Sequence, residues 1–296
     1  MAGKFRLRLA TQTGEKRARD EGFNAFPVDP FAIARRHDIH VEKKPPTMKG
    51  VSGALIFASP RPIIIYSAEH QNEGFERFSV AHELGHYFLP DHPDEILRGG
   101  GTHLSRAGFS EGGSSIELEA DHFAAGLLMP DHLVRQTLGN SPVGLEGIRR
   151  LAEDARVSIT AAAIRAAECA PFPICIVVSE GTQVSYAFPS DSFKDLGSRI
   201  FLRKGEALPN SITATFNADP ANVASARQVT GQCRLTDWFD SDRSVALDEE
   251  VIGLGKYGLT LTVLASDTLA SQDLDDDTDD EEALLDRWTP RFAYGR

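Results

Sequence analysis

Three cysteines in 296 residues, Cys169, Cys175 and Cys233, are too few and too irregularly spaced for a disulfide framework or a thiolate metal site. Free thiols in a reducing compartment are the simplest reading, and for Cys175 and Cys233 burial as small apolar side chains is preferred to a redox role. No apolar run approaches the roughly 18 residues of a membrane span. The opening Met1-Ala-Gly-Lys-Phe-Arg-Leu-Arg lacks the apolar stretch of a secretory signal, so a cytoplasmic protein without a membrane partner is expected. Net basic charge is also missing: the formal charge is -12, which argues against a nucleic-acid surface. The charge is uneven, because Asp273 to Glu282 holds eight acidic residues while Lys4, Arg6, Arg8, Lys16, Arg17 and Arg19 crowd the start. A solvated acidic run is the plain reading, and an electrostatic arm for a basic partner is the alternative.

What the chain does hold is an ordinary globular composition and a legible order of elements. Residues 12–38 read as helical around a break at Phe26-Pro27-Val28, with Pro30 suited to a first helical turn. Strand-like runs follow at Val51–Phe57 and Pro62–Tyr66, and a long helix is expected over Glu69–Leu89. Residues 90–115, rich in Gly and Ser, read as a loop. Ile116–Met129, Leu145–Ala155 and Ser158–Ala167 read as helices, with Ser158 an N-cap. Beyond Pro171 the texture turns to short strands at Ile174–Val178, Val184–Phe188, Ile212–Phe216, Gln228–Phe239 and Leu259–Leu264, with Asp191–Ser198 as a helix. The expected fold class is α+β. The expected division is 1–170, a helical domain with a small antiparallel sheet; 171–267, a mixed β-rich domain; and 268–296, an acidic segment with an aromatic tail, Trp288 and Phe292, that docks.

The chemistry concentrates in His82-Glu83-Leu84-Gly85-His86. Residues four apart share a helix face, so both imidazoles can meet one metal ion, with Glu83 beside them where a metal-bound water would sit. Two histidines do not complete a catalytic zinc site, which takes three protein ligands and leaves one position open. Glu117-Leu-Glu-Ala-Asp121 opens the next helix and offers the third. Glu117 and Asp121 share a face with Ala124, Ala125 and Leu128, so Glu117 is preferred over Glu119 as ligand, and Asp121 can orient a ligating histidine by accepting its free N–H. His92 and His103, in the expected loop, are weaker ligand candidates, and His122 is read as an ordinary surface or packing histidine. The bland alternative for the pentad is a buried amphipathic helix with satisfied histidines.

Phe78-Ser-Val-Ala-His-Glu-Leu-Gly-His-Tyr-Phe, followed by Ile116-Glu-Leu-Glu-Ala-Asp-His-Phe-Ala-Ala-Gly-Leu-Leu-Met-Pro130, resembles the ImmA/IrrE family of bacterial metallopeptidases. Ile63-Ile-Ile-Tyr66 and Arg156-Val-Ser-Ile-Thr-Ala-Ala-Ala-Ile-Arg165 extend the resemblance over residues 20–170, and it is loose beyond. It implies a gluzincin-like fold, zinc (with manganese as an alternative) on His82, His86 and Glu117, and Glu83 as general base. It further implies a helix-turn-helix repressor of the XRE type as substrate, whose cleavage releases stress-response or mobile-element genes, and a sensor-like or substrate-docking C-terminal domain. Tyr66 is a candidate oxyanion donor, and the Ile63–Tyr66 strand a candidate edge for an extended substrate. A rival function is inactivation of the partner by contact alone, with a structural metal. Direct DNA binding by the Leu145–Ala167 helix pair is disfavoured, since Ser158–Ala167 offers only Arg165 to a phosphate or a base.

Overall fold

A computed structural model describes residues 2–45, 49–69, 72–106, 115–197 and 199–270. The acidic run Asp273–Glu282 and the Trp288/Phe292 tail lie outside the described residues. Helices and two sheets alternate along the chain, and the fold is α+β. Among the described residues two compact units emerge, one within 2–133 with 152–161 and one within 134–151 with 162–270, so the chain passes between them more than once.

The first unit begins with α1 (Ala2–Asp20) and α2 (Pro30–Arg36), the latter capped by Asp29, whose carboxylate accepts from Phe31 N and Ala32 N, with Pro30 in the first turn. Strands β1 (His40–Lys43), β2 (Val51–Ile56) and β3 (Ile63–Tyr66) precede α3 (Glu73–Phe88). Asn72 caps α3 by accepting from Phe75 N, and Glu73 and Glu76 favour its positive end. Next come α4 (His92–Arg98), β4 (Thr102–Arg106) and α5 (Ser115–Leu128).

The strand order is β1-β3-β2-β4. β1 runs parallel to β3 and the other pairs are antiparallel, so the sheet is mixed rather than purely antiparallel. Ile63–Tyr66 is therefore an interior strand with no free edge, and the edge role expected of it is corrected: β4 holds that position beside β2. The expected loop over 90–115 is corrected too, since α4 and β4 occupy much of its described part. In β4, Thr102 and Leu104 are exposed while Ser105 is buried and His103 is partly covered, an alternation that marks one inward face.

Small residues let the helices of this unit close together. A Cβ on Gly14 would overlap Phe123 O, and one on Gly126 would overlap Thr11 O, so α1 and α5 touch backbone to backbone. A Cβ on Gly85 would stand 3.0 Å from Ala120 Cα, so α3 and α5 are nearly as tight.

Helices α6 (Asp131–Gly139), α7 (Leu145–Ala155) and α8 (Ile159–Cys169) follow. Ser158 does cap α8, its hydroxyl accepting from Ala161 N at 3.1 Å. The second unit is built on an antiparallel sheet, β6-β5-β9-β8-β7, from β5 (Ile174–Glu180), β6 (Gln183–Pro189), β7 (Gln228–Arg234), β8 (Ala246–Gly253) and β9 (Thr260–Ala265). Short helices α9 (Asp191–Lys194), α10 (Ile212–Asn217), α11 (Pro220–Ala224) and α12 (Leu235–Trp238) decorate it.

Ile212–Phe216, expected as a strand, is α10: Ser211 caps it by accepting from Ala214 N. The Gln228–Phe239 strand stops at Arg234 and turns into α12. Beneath α10, the fully buried Glu249 accepts from Thr213 N and Oγ1, both at 2.7 Å, and from Trp238 Nε1 at 3.2 Å. A buried carboxylate is tolerable only when donors surround it in this way.

Candidate metal centre

On α3, His82 and His86 stand one turn apart with their Nε2 atoms 3.1 Å from each other. The close approach at Gly85 brings α5 alongside, and Glu117 reaches His82 Nε2 at 3.4 Å and His86 Nε2 at 3.5 Å through its two oxygens. From β4, His103 sends Nε2 to within 2.8 Å of Glu117 Oε1. That contact is short but misaligned for a hydrogen bond, and this buried nitrogen has no hydrogen-bond partner among the described residues. Donor atoms of His82, His86, His103 and Glu117 all lie within 4.8 Å of one another. A zinc ion held at about 2.0–2.1 Å spaces its tetrahedral donors about 3.3 Å apart. The observed separations are of that size, and the nitrogen-plus-carboxylate donor set suits the same ion, so the residues fit a metal.

Each α3 histidine is held from behind. His82 Nδ1 is 2.8 Å from Asp121 Oδ1, the partner expected from the helix spacing. His86 Nδ1 is 3.2 Å from Nδ1 of the fully buried His92, whose Nε2 is 3.4 Å from Glu119 Oε2. Glu119 Oε1 in turn meets Arg6 Nε at 2.9 Å. If His86 keeps Nε2 free for a metal, its Nδ1–H donates to His92, and His92 donates to Glu119. Glu119, passed over as a ligand because it turns away from Glu117, thus anchors the support of the other histidine.

Glu83 is fully buried, against the sheet. A Cβ on Gly53 would overlap its Oε1, and the Ser105 hydroxyl donates to that same oxygen at 2.6 Å. Gly53 and Ser105 are cross-strand partners of β2 and β4, so a missing side chain and a hydroxyl make one slot for the carboxylate. Oε2 has no hydrogen-bond partner among the described residues. Burial pushes the Glu83 carboxyl up to about 7, against the pull of His82.

Around it the signs are set by proximity. Burial works against a charged His82, but Asp121 and then Glu117 outweigh it and hold the ring well above the usual histidine value. Burial, joined by the positive fields of His82 and His103, holds His86 well below it. Burial opposes ionisation of Glu117, yet His103 and His82 overcome it and keep the carboxyl far below the ordinary carboxylate value.

Tyr66 is not brought to this cluster by any described contact. Its ring packs edge-on against Phe31 at 5.3 Å, and the charge it feels is that of Glu76. His122 is buried rather than exposed, with Nδ1 3.1 Å from Thr11 Oγ1. Arg165 is buried and pairs with Glu168 at 2.7 Å. Ser105 and Gly53 are the participants that the sequence did not single out, and His103 and His92 are the two it ranked as weaker ligand candidates. The His-x-Ser alternation over Thr102–Arg106 is their one strand signal, and glycines on both sides hide it.

A buried two-histidine, one-carboxylate cluster with a carboxylate lodged beside it could hold a metal ion, an arrangement of the kind that metal-dependent hydrolases use. Residues 34–167 match the family model described as Peptidase_M78, IrrE N-terminal-like domain, and this is the segment in which the ImmA/IrrE-like motifs lie. No curated protein matches the chain by sequence at a significant level. Among solved structures, the chain is similar to a Mycobacterium tuberculosis transcriptional regulator, with a TM-score of 0.52 and 13% identity over 90% of this chain and 82% of that one. At that identity the likeness is one of fold.

Among the described residues, no helix is long and apolar enough to cross a membrane. Cys169 and Cys175 are buried free thiols and Cys233 is a partly buried one. Burial raises the Cys233 thiol to about 12, far from a reactive thiolate at neutral pH.

Proposed function

We propose that this protein is a zinc-dependent endopeptidase of the cytoplasm that cuts a helix-turn-helix repressor of the XRE type, and so releases stress-response or mobile-element genes. The observation that carries the reading is the meeting of His82, His86 and Glu117 beside a fully buried Glu83. A divalent metal on those three side chains supplies Lewis-acid polarisation of a peptide carbonyl and a water acidified toward neutrality. Manganese is the alternative occupant, since imidazole and carboxylate donors serve both ions.

Glu83 acts as general base and then general acid. Its carboxyl, pushed to about 7, takes a proton from the attacking water and passes it to the leaving amine near neutral pH. Ser105 and the bare Gly53 fix one oxygen, and the other is free of any described hydrogen bond. Asp121 fixes the tautomer of His82, and His92 with Glu119 fixes that of His86. Among the described residues β4 pairs on one side only, and its other edge, beside His103, suits the extended backbone of a substrate.

The β-rich region, 171–267 in our division, takes the sensory or docking role. A cleft of about 630 Å³ bordered by Asn210, Ile212, Asn222, Arg227 and Gln232 is its obvious recess. We assign residues 268–296 to neither domain.

A second reading is favoured by one observation, the fourth donor on His103. Four protein ligands typify a structural metal site, and the protein would then inactivate its partner by contact. Co-expression with a helix-turn-helix repressor separates the two. Peptidase action predicts repressor fragments with the wild type and full-length repressor with Glu83→Gln. Target genes that switch on while the repressor stays whole would establish the contact reading instead.

A further inference from the structure

The four donors do not stand on equal footing. His82 leans on Asp121, His86 leans on His92 and through it on Glu119 and Arg6, and both rings are buried on the same helix. Glu117 rides on α5, locked to α3 at Gly85. His103 differs in each respect. Among the described residues no hydrogen bond holds its ring, its side chain keeps 18% exposure, and its strand is the edge of the sheet, paired on one side only. Its Nε2 is nevertheless buried in the donor cluster and misaligned for hydrogen bonding to Glu117, as befits a lone pair aimed at a shared ion rather than at a carboxylate.

We propose that His103 is a displaceable fourth metal ligand, which closes the centre at rest and leaves it when a substrate strand joins the open edge of β4. This rests on the metal-centre reading above and removes its one conflict, that a hydrolytic site must have a position for water while the structure offers four protein donors. The ligand that departs is the one whose ring no hydrogen bond holds among the described residues, on an edge strand of the sheet. Glu117, released from the 2.8 Å contact with His103, remains with the two supported histidines as the three-ligand set that chemistry needs.

Cobalt(II) in the full-length protein reads this directly, because its visible absorption reports coordination number and inner-sphere exchange independently of turnover. The wild type should bind one cobalt and leave its spectrum unmoved by millimolar azide. His103→Ala should bind cobalt on the order of tenfold to a hundredfold more weakly. Its spectrum should shift on azide addition as the open position fills. If His103→Ala does not fold, as judged by circular dichroism, His103→Asn carries the same comparison. A wild-type spectrum that responds to azide as readily as the variant's would overturn the proposal and leave the three-ligand site intact. Cobalt uptake that survives loss of both His82 and His86, or no uptake by the wild type, would overturn the metal-centre reading itself.

Discussion

Glu83 has its place because two neighbours are small or polar. Gly53 leaves the space its Oε1 occupies, and Ser105 donates to that oxygen from the adjacent strand. Gly53→Ala should therefore displace the carboxylate while sparing the donor atoms. Metal content and the circular dichroism spectrum should match the wild type, and peptide cleavage should fall by at least about a hundredfold, the usual weight of a positioned general base. Unchanged cleavage would mean that Glu83 is not held by this slot. Residues at this scale were legible when they lay on helices. His82, His86, Glu117 and Asp121 repeat with a period that geometry fixes, so their meeting could be read before any fold was known. Gly53, Ser105 and His103 meet across strands, where register decides, and register is not written in local spacing. His92 was masked differently, being one residue of a short helix inside what reads as a glycine-rich loop.

Between elements, the decisive approach is that of α3 and α5 at Gly85. A side chain there would press on Ala120 and swing Glu117 away from the two histidines. Gly85→Val should cost about 1–3 kcal/mol of stability as overpacking, and should also weaken zinc binding, read by competition with a chromophoric chelator. Stability lost with zinc affinity retained would show that α5 does not depend on this contact.

A second junction, between α1 and α2, is electrostatic. Glu21 Oε1 meets His37 Nε2 at 2.6 Å and its Oε2 takes Arg36 Nη1 at 3.3 Å. Although burial opposes it, the His37 and Arg36 hydrogen bonds hold the Glu21 carboxyl below its ordinary 4.5. A carboxylate whose folded value is depressed stabilises above its unfolded value, and that stabilisation fades as pH falls through the folded one. Glu21→Gln should then melt a few degrees below the wild type at pH 7, with the gap closing below about pH 4.5. A gap that persisted or widened in acid would contradict the assignment.

Elements with full hydrophobic periods, such as α3, α5 and α8, emerged from sequence within a few residues of their observed extents. The Ile212–Phe216 segment misled because β-branched and aromatic residues suggest a strand, while Ser211 caps a helix whose Thr213 donates to the buried Glu249. Sheet order was not legible at all: that Ile63–Tyr66 is interior and Thr102–Arg106 the edge follows from long-range pairing alone.

At the scale of the whole molecule, the α+β class and a peptidase-type domain followed from composition, order of elements and one pentad. The crossing of the chain between two compact units did not, because it depends on how α6, α7 and α8 distribute their packing. If the first unit is organised around a metal, the ion must stabilise the folded chain by mass action. With free zinc about a hundred times above its dissociation constant the gain is about 2.7 kcal/mol, so chelation should lower the melting temperature on the order of 5–10 °C. His82→Ala should abolish that difference. A melting temperature indifferent to chelator would remove the metal from the fold.

Hydrolysis by Glu83 at the centre held by His82, His86 and Glu117 is read by mass spectrometry of a purified repressor incubated with the zinc-loaded chain. Hydrolysis there predicts a discrete cleavage product with the wild type. It predicts none with Glu83→Gln, although that variant retains one zinc per chain. Cleavage at the wild-type rate by zinc-loaded Glu83→Gln would contradict it.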